Sequence, residues 1–482
     1  MDFVGLINTL VGYLWGTPLL VTLFGAGIYF TVRSKFWQFV HLRYSIKQIA
    51  NSLKPKKDDS SGMLSSFEAV ATALGSAVGV GNIAGVASAI ALGGPGALFW
   101  MWVSALVGMA TKMVEITLAL HYREKNENGD AYGGPTYYME KGFKEKKYFG
   151  WKVLATVFGL GILSDYFLGM SAYTVSEAVS SVFGINQIMV AVVFAIALTA
   201  VVLGGIKRLG KVLSVVVPFM CILYLIAGII IILKDAASLP SSFALIFQSA
   251  FKLSAAIGGF AGASVALAFR TGLARGVYSN EAGWGTAAMI HSTAKVKHPV
   301  EQGVMGVVEV FIDTIIVCTV TGLVIINTGA WSSGLSAAPL AIEAFEIGLG
   351  SFGPMILVLA IFLLGWTSVT AKYTNYEIVL RHIFGVNEKT LKIILKLFRS
   401  CVAIPGLMLT IIKVNFDISS SVIWLFADLV TGLPTLVNII SLLLLSGKFF
   451  ELLKDYNDRN FGRLKGSEGR SSIRLFYDED IV

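Results

Sequence analysis

Apolar runs of about 20 residues, the length a helix needs to cross a bilayer, recur along this chain of 482 residues. Counted that way there are about eleven, at roughly 11–32, 66–92, 96–120, 151–181, 186–205, 212–233, 254–274, 303–327, 353–377, 398–414 and 420–446. The composition agrees. Soluble domains carry about 25% charged residues, whereas this chain has 14%, with 55% hydrophobic. Because lipid offers backbone groups no hydrogen-bond partners, a chain of this kind spans the membrane as helices. An all-α integral membrane protein is expected.

The net charge of +8 would suit nucleic acid, but the basic residues lie between the apolar runs. Only Lys234, Lys252 and Lys413 of 38 lysines and arginines fall on one side. Nearly all the others lie in the opposite loops or at the spans' ends on that side, at 33–57, 123–147, 207–211, 295–297, 381–399 and after Lys448, which puts those loops in the cytoplasm, the N-terminus outside and the C-terminus inside. The start has no basic n-region and no small-residue cleavage site, so no cleaved signal peptide is expected. Cys221, Cys318 and Cys401 all fall in apolar runs and read as buried thiols rather than a disulfide framework.

The second run contains Gly75–Gly96, GSAVGVGNIAGVASAIALGGPG. Glycine in a helix interior costs roughly 1 kcal/mol relative to alanine. A membrane segment tolerates such breaks where the freed backbone is buried in protein or lines a cavity. Five runs later, Gly258, Gly259 and Gly262 interrupt AAIGGFAGASVALA. Two interrupted segments at corresponding positions of two halves point to an inverted repeat with a solute held between them. The alternative is close helix packing through small residues.

No HExxH, GxxxxGK[ST] or GxSxG motif occurs, and an enzyme is not expected. The five histidines lie in or beside loops and suggest no metal cluster. Of the carboxylates within apolar runs, Asp165, Asp313 and Asp428 lie deepest, while Glu68, Glu115, Glu177, Glu309 and Glu377 lie nearer the ends. Such groups are costly and usually functional, although those near the ends also read as solvated. Asp313 suits either an ion site or an anchor for broken backbone. Thr367 and Ser368 offer adjacent hydroxyls, which in a helix commonly bond back to the carbonyl four residues earlier.

Several motifs, in order, resemble the alanine or glycine:cation symporter family. They are GNIAGVA at 81–87, GGPGA at 93–97 with FWMW at 99–102, GMATK at 108–112 with Glu115, and YGGP at 132–135. GGIKR at 204–208, ARGVYSNEAG at 274–283, KHP at 297–299 and FIDT at 311–314 continue the series. The resemblance implies a leucine-transporter-like fold: a five-plus-five inverted repeat preceded by one extra helix. It divides the chain into an N-terminal helix and basic loop (1–60), a core (61–447, in repeats of about 61–235 and 236–447) and a cytoplasmic tail (448–482).

The resemblance also implies symport of a small neutral amino acid with Na⁺ across the plasma membrane by alternating access. Carried across residue by residue, it puts substrate at Ala77, Gly79, Gly81 and Asn82, and at Gly259, Phe260 and Gly262 of the matching break. Na⁺ would sit on the carbonyls of Gly75 and Val78 and the hydroxyls of Thr367 and Ser368. The NEAG turn at 280–283 reads as a structural or gating loop. The chain departs from the family at Ser171 and Tyr173, where members carry glutamine and asparagine, and at AKYTNYE (371–377), which replaces a Gly-Trp-aromatic-Tyr-Gly-Glu pattern. Both departures touch the expected pocket, so a larger glutamine-like substrate or a non-translocating sensor stays open, and Asp165, outside the matched motifs, keeps proton coupling open. Oligomeric state is not legible.

Overall fold

The computed structural model describes residues 3–53, 62–126, 129–251, 265–385, 387–416, 420–462 and 473–477. Among these, helix dominates, with one short antiparallel pair, Glu124–Lys125 against Ala131–Tyr132. Among the described residues eight helices are long and apolar enough to span a bilayer, and a bent pair makes a ninth; Gln187–Val202 is shorter. The expected run at 254–274 is described only from Val265 onward, so Gly258, Gly259, Phe260 and Gly262 lie outside the described residues.

The glycine-rich run forms two helices. Ser66–Ala77 begins with a capping box: Ser65 Oγ accepts the Glu68 amide at 3.2 Å, and Glu68 Oε2 accepts the Ser65 amide at 2.8 Å. Val78 then leaves helical geometry at ψ 92°. The chain restarts as a wide π turn, Gly81–Gly85, continuing into Val86–Gly93, and the two halves meet at 46°. Gly94, at φ +71°, ends the second half in a backbone conformation that suits glycine. Pro95 then leads into Gly96–His121.

Two further irregularities were not expected. The run at 151–181 is divided at Gly169 (φ +54°) into Trp151–Leu168 and Met170–Phe183. Gly169 lies against Gly406 of Ile404–Phe416, so neither position has room for a side chain. The run at 303–327 is helix Pro299–Val310, a π segment Phe311–Cys318 and helix Thr319–Asn327. Wide turns of this kind concentrate at functional sites.

The N-terminal helices Phe3–Leu14 and Thr17–Arg33 pack on the C-terminal helix Ser420–Asn460 and on Gly96–His121. Trp15 Nε1 donates to the Asp428 carbonyl at 2.6 Å, and Asp428 itself pairs with Arg275 at 3.3 Å.

Two expectations are corrected. Cys401 is exposed; only Cys221 and Cys318 are buried. Glu115 and Glu309 are fully buried, not solvated. His291 is fully buried as well. Helix Pro299–Val310 begins ahead of its apolar run, and the packing of neighbouring elements covers groups near the runs' ends.

Candidate functional site

The site is organised by the break at Val78–Val80. Asn82, fully buried, folds back so that its Oδ1 accepts the Gly79 amide at 2.9 Å. Its Nδ2 donates to Asp313 Oδ1 at 2.6 Å. One side chain therefore caps the broken backbone and ties it to the π segment 231 residues away. Asp313 Oδ2 accepts Ser279 Oγ at 2.8 Å and Thr314 Oγ1 at 2.7 Å. Thr321 Oγ1 lies 2.8 Å from the Asn82 carbonyl and 2.6 Å from the Tyr224 hydroxyl. The donors to the Asp313 carboxylate are the Asn82, Ser279 and Thr314 side chains, so it meets the broken backbone through Asn82.

Helix Phe352–Phe384 passes the other side of the break. Ser368 Oγ donates to the Ser76 carbonyl at 3.0 Å, and a β-carbon at Gly79 would lie 3.1 Å from that same Oγ. A β-carbon at Gly81 would lie 3.3 Å from the Tyr278 ring. These two glycines let neighbouring elements touch the bare backbone. Thr367 Oγ1 contacts the Leu363 and Leu364 carbonyls at 2.9 and 3.0 Å and Met220 Sδ at 3.2 Å, the back-bonded arrangement. Gly75 faces Thr367. Thus Gly75, Thr367 and Ser368 lie at the C-terminal end of Ser66–Ala77, with Val78 following in the break.

A cavity of about 20 Å³ lies against the break, lined by Ala77, Gly79, Gly81, Ser171 and Ser368, with Glu281, Trp284 and Lys372 opposite. That volume holds roughly one or two waters, so admitting a solute requires the walls to part. Ser171 lines it. Asn82 and Tyr173 do not: Asn82 faces Asp313, and the buried Tyr173 donates to Glu177 Oε1 at 2.5 Å.

The NEAG turn is not a peripheral loop. Asn280 and Glu281 are buried, and Glu281 accepts Ser76 Oγ at 3.2 Å and Thr286 Oγ1 at 2.6 Å, joining the turn to the broken helix. Beneath it, Lys112 Nζ lies 3.0 Å from Glu309 Oε1 and donates to the Asn280 carbonyl at 2.8 Å. Lys372, which the sequence reading left without a role, stands over the Trp284 ring at 4.8 Å and pairs with Asp165 at 3.3 Å. No cluster of metal-ligating side chains occurs among the described residues.

The chain is similar to known proteins along most of its length. The model of the sodium:alanine symporter family matches residues 1–468. A sodium/alanine symporter of Methanococcus maripaludis is 38% identical over 470 residues, covering 95% of this chain and 98% of its own. An uncharacterized transporter of Haemophilus influenzae is 36% identical over 488 residues, covering both chains completely. Among solved structures, a Na⁺-coupled sialic acid symporter superposes with a TM-score of 0.54 at 13% identity, covering 89% of this chain and 85% of that one, a likeness of fold.

Proposed function

The chain belongs to the sodium:alanine symporter family, and from that premise we propose that it is a secondary active transporter carrying a small neutral amino acid into the cell with Na⁺. The observation that carries this reading is the broken helix, with Gly79 and Gly81 bare toward the cavity. Its first half ends in carbonyls and its second half begins in amides, which favour a cation and a carboxylate respectively. A zwitterion and an ion can thus be held without a charged side chain for each. The backbone of Ala77, Gly79 and Gly81 receives the carboxylate, Ser171 faces it across the cavity, and Glu281 lies within reach of the ammonium. Asn82 shapes the break instead of touching solute.

Na⁺ takes the carbonyls of Gly75 and Val78 and the hydroxyl oxygens of Thr367 and Ser368, whose lone pairs are available while their O–H groups donate. A membrane potential of about 100 mV contributes roughly 2.3 kcal/mol per charge, enough for one Na⁺ to concentrate a zwitterion. Basic loops place the C-terminus in the cytoplasm and the N-terminus outside. The plasma membrane is the natural location, where a Na⁺ gradient is maintained.

Uptake of labelled alanine into proteoliposomes tests the reading. Accumulation is expected only with an inward Na⁺ gradient; equal accumulation without one would remove Na⁺ from the proposal. Ser368→Ala is expected to raise the half-saturating Na⁺ concentration roughly tenfold, the equivalent of about 1.4 kcal/mol. An unaltered Na⁺ dependence would move the ion elsewhere.

A further inference from the structure

A second cavity, of about 40 Å³, adjoins the one at the break; Met170, Ser171, Tyr278 and Lys372 line both. The division at Gly169 and the close approach of Gly406 lie on its wall. Its far side is apolar, with Phe194, Leu198 and Leu407. Its near side carries Asp165 and Tyr376, and Tyr376 donates to Asp165 Oδ2 at 2.8 Å. Lys372 Nζ reaches the same oxygen at 3.3 Å, and the two side chains are 11% and 16% exposed. An ammonium and a carboxylate therefore stand at the threshold between the cavities. A buried ion pair generally contributes less stability than well-packed apolar residues, so its presence here suggests a use.

We propose that the second cavity is a side-chain subsite, in which Lys372 and Asp165 select amino acids whose side chain ends in a carboxamide. This rests on the reading that an amino acid is held at the break. The pair is neutral as a unit. A carboxamide presents its carbonyl to the ammonium and its NH₂ to the carboxylate, leaving the site neutral and both charges hydrogen-bonded. An acidic side chain would face Asp165 and a basic one Lys372. A methyl side chain does not reach the pair, and an extended apolar one would separate the charges without replacing their partners, which a buried site penalises. Ser171, a small side chain, lines both cavities.

The test is thermal unfolding of the purified full chain in detergent with Na⁺, titrated separately with alanine, asparagine, glutamine, glutamate and lysine. Asparagine or glutamine is expected to stabilise at concentrations roughly tenfold below those of alanine. In Asp165→Asn and, separately, Lys372→Met, that preference over alanine is expected to shrink by about the same factor. The proposal is overturned if alanine or glutamate stabilises best in the wild type. It is also overturned if both variants melt earlier yet keep the carboxamide preference, which would make the pair a tie between helices. Should no amino acid stabilise the wild type, the reading of the break falls along with it. Should alanine alone do so, only the subsite falls.

Discussion

Lys112→Met is expected to cost about 3–5 kcal/mol of stability and most of the folded yield, because it leaves a buried carboxylate without its main partner. Lys112 and Glu309 are both fully inaccessible, with Nζ 3.0 Å from Oε1. Their surroundings are tied to the pair. The ammonium also donates to the Asn280 carbonyl, and Glu309 Oε2 lies 2.9 Å from His291 Nε2, whose other ring nitrogen lies 2.8 Å from Gln302. Removing the cation leaves Glu309 with the His291 imidazole as its partner. The double variant Lys112→Met with Glu309→Leu removes both charges and is expected to recover part of the loss, since an apolar pair of similar volume packs at lower electrostatic cost. Thermal unfolding in detergent and the yield of monodisperse protein report both. A Lys112→Met protein as stable as wild type would show that the pair is dispensable.

Why this network escaped a reading of the sequence is instructive. Apolar length locates spans, but not which way a side chain points or how far a helix continues past its apolar run. Glu115 and Glu309 read as end groups because the runs end near them, whereas tertiary partners bury them: Asn438 Nδ2 donates to Glu115 Oε2 at 3.3 Å, and Glu309 pairs with Lys112 beneath the NEAG turn. The break at Val78–Val80 was legible, since its glycines and the asparagine are local signals. The pairing of Asn82 with Asp313 was not, because it joins residues 231 apart. Lys372 carried a usable signal. It stands four residues after Ser368, hence on the same helix face, and following that face through the expected ion site would have brought it to the cavity. Gly169 sat in plain view within an apolar run. Its positive φ goes with a close crossing by Gly406, a tertiary event.

Asn82→Asp is expected to abolish most uptake while hardly changing volume, a loss between roughly tenfold and 100-fold, as for other residues that orient a binding shell. The reason lies in which atoms donate. Asn82 Oδ1 accepts from Gly79, a role a carboxylate keeps, but Nδ2 donates to Asp313 Oδ1 at 2.6 Å, a role it loses. Two buried carboxylates would then meet at hydrogen-bond distance. One of them must take a proton or the two elements must separate. Either course displaces the π segment from the break and misplaces the Gly79–Gly81 backbone that faces the cavity. Exchanging the pair, by combining Asn82→Asp with Asp313→Asn, restores one carboxylate and one amide across the same gap, and Ser279 and Thr314 can reorient their hydroxyls. Partial recovery of uptake is therefore expected in the exchange and none in Asn82→Asp alone. If Asn82→Leu transports as well as wild type, the brace is unnecessary and the break holds its shape by packing alone.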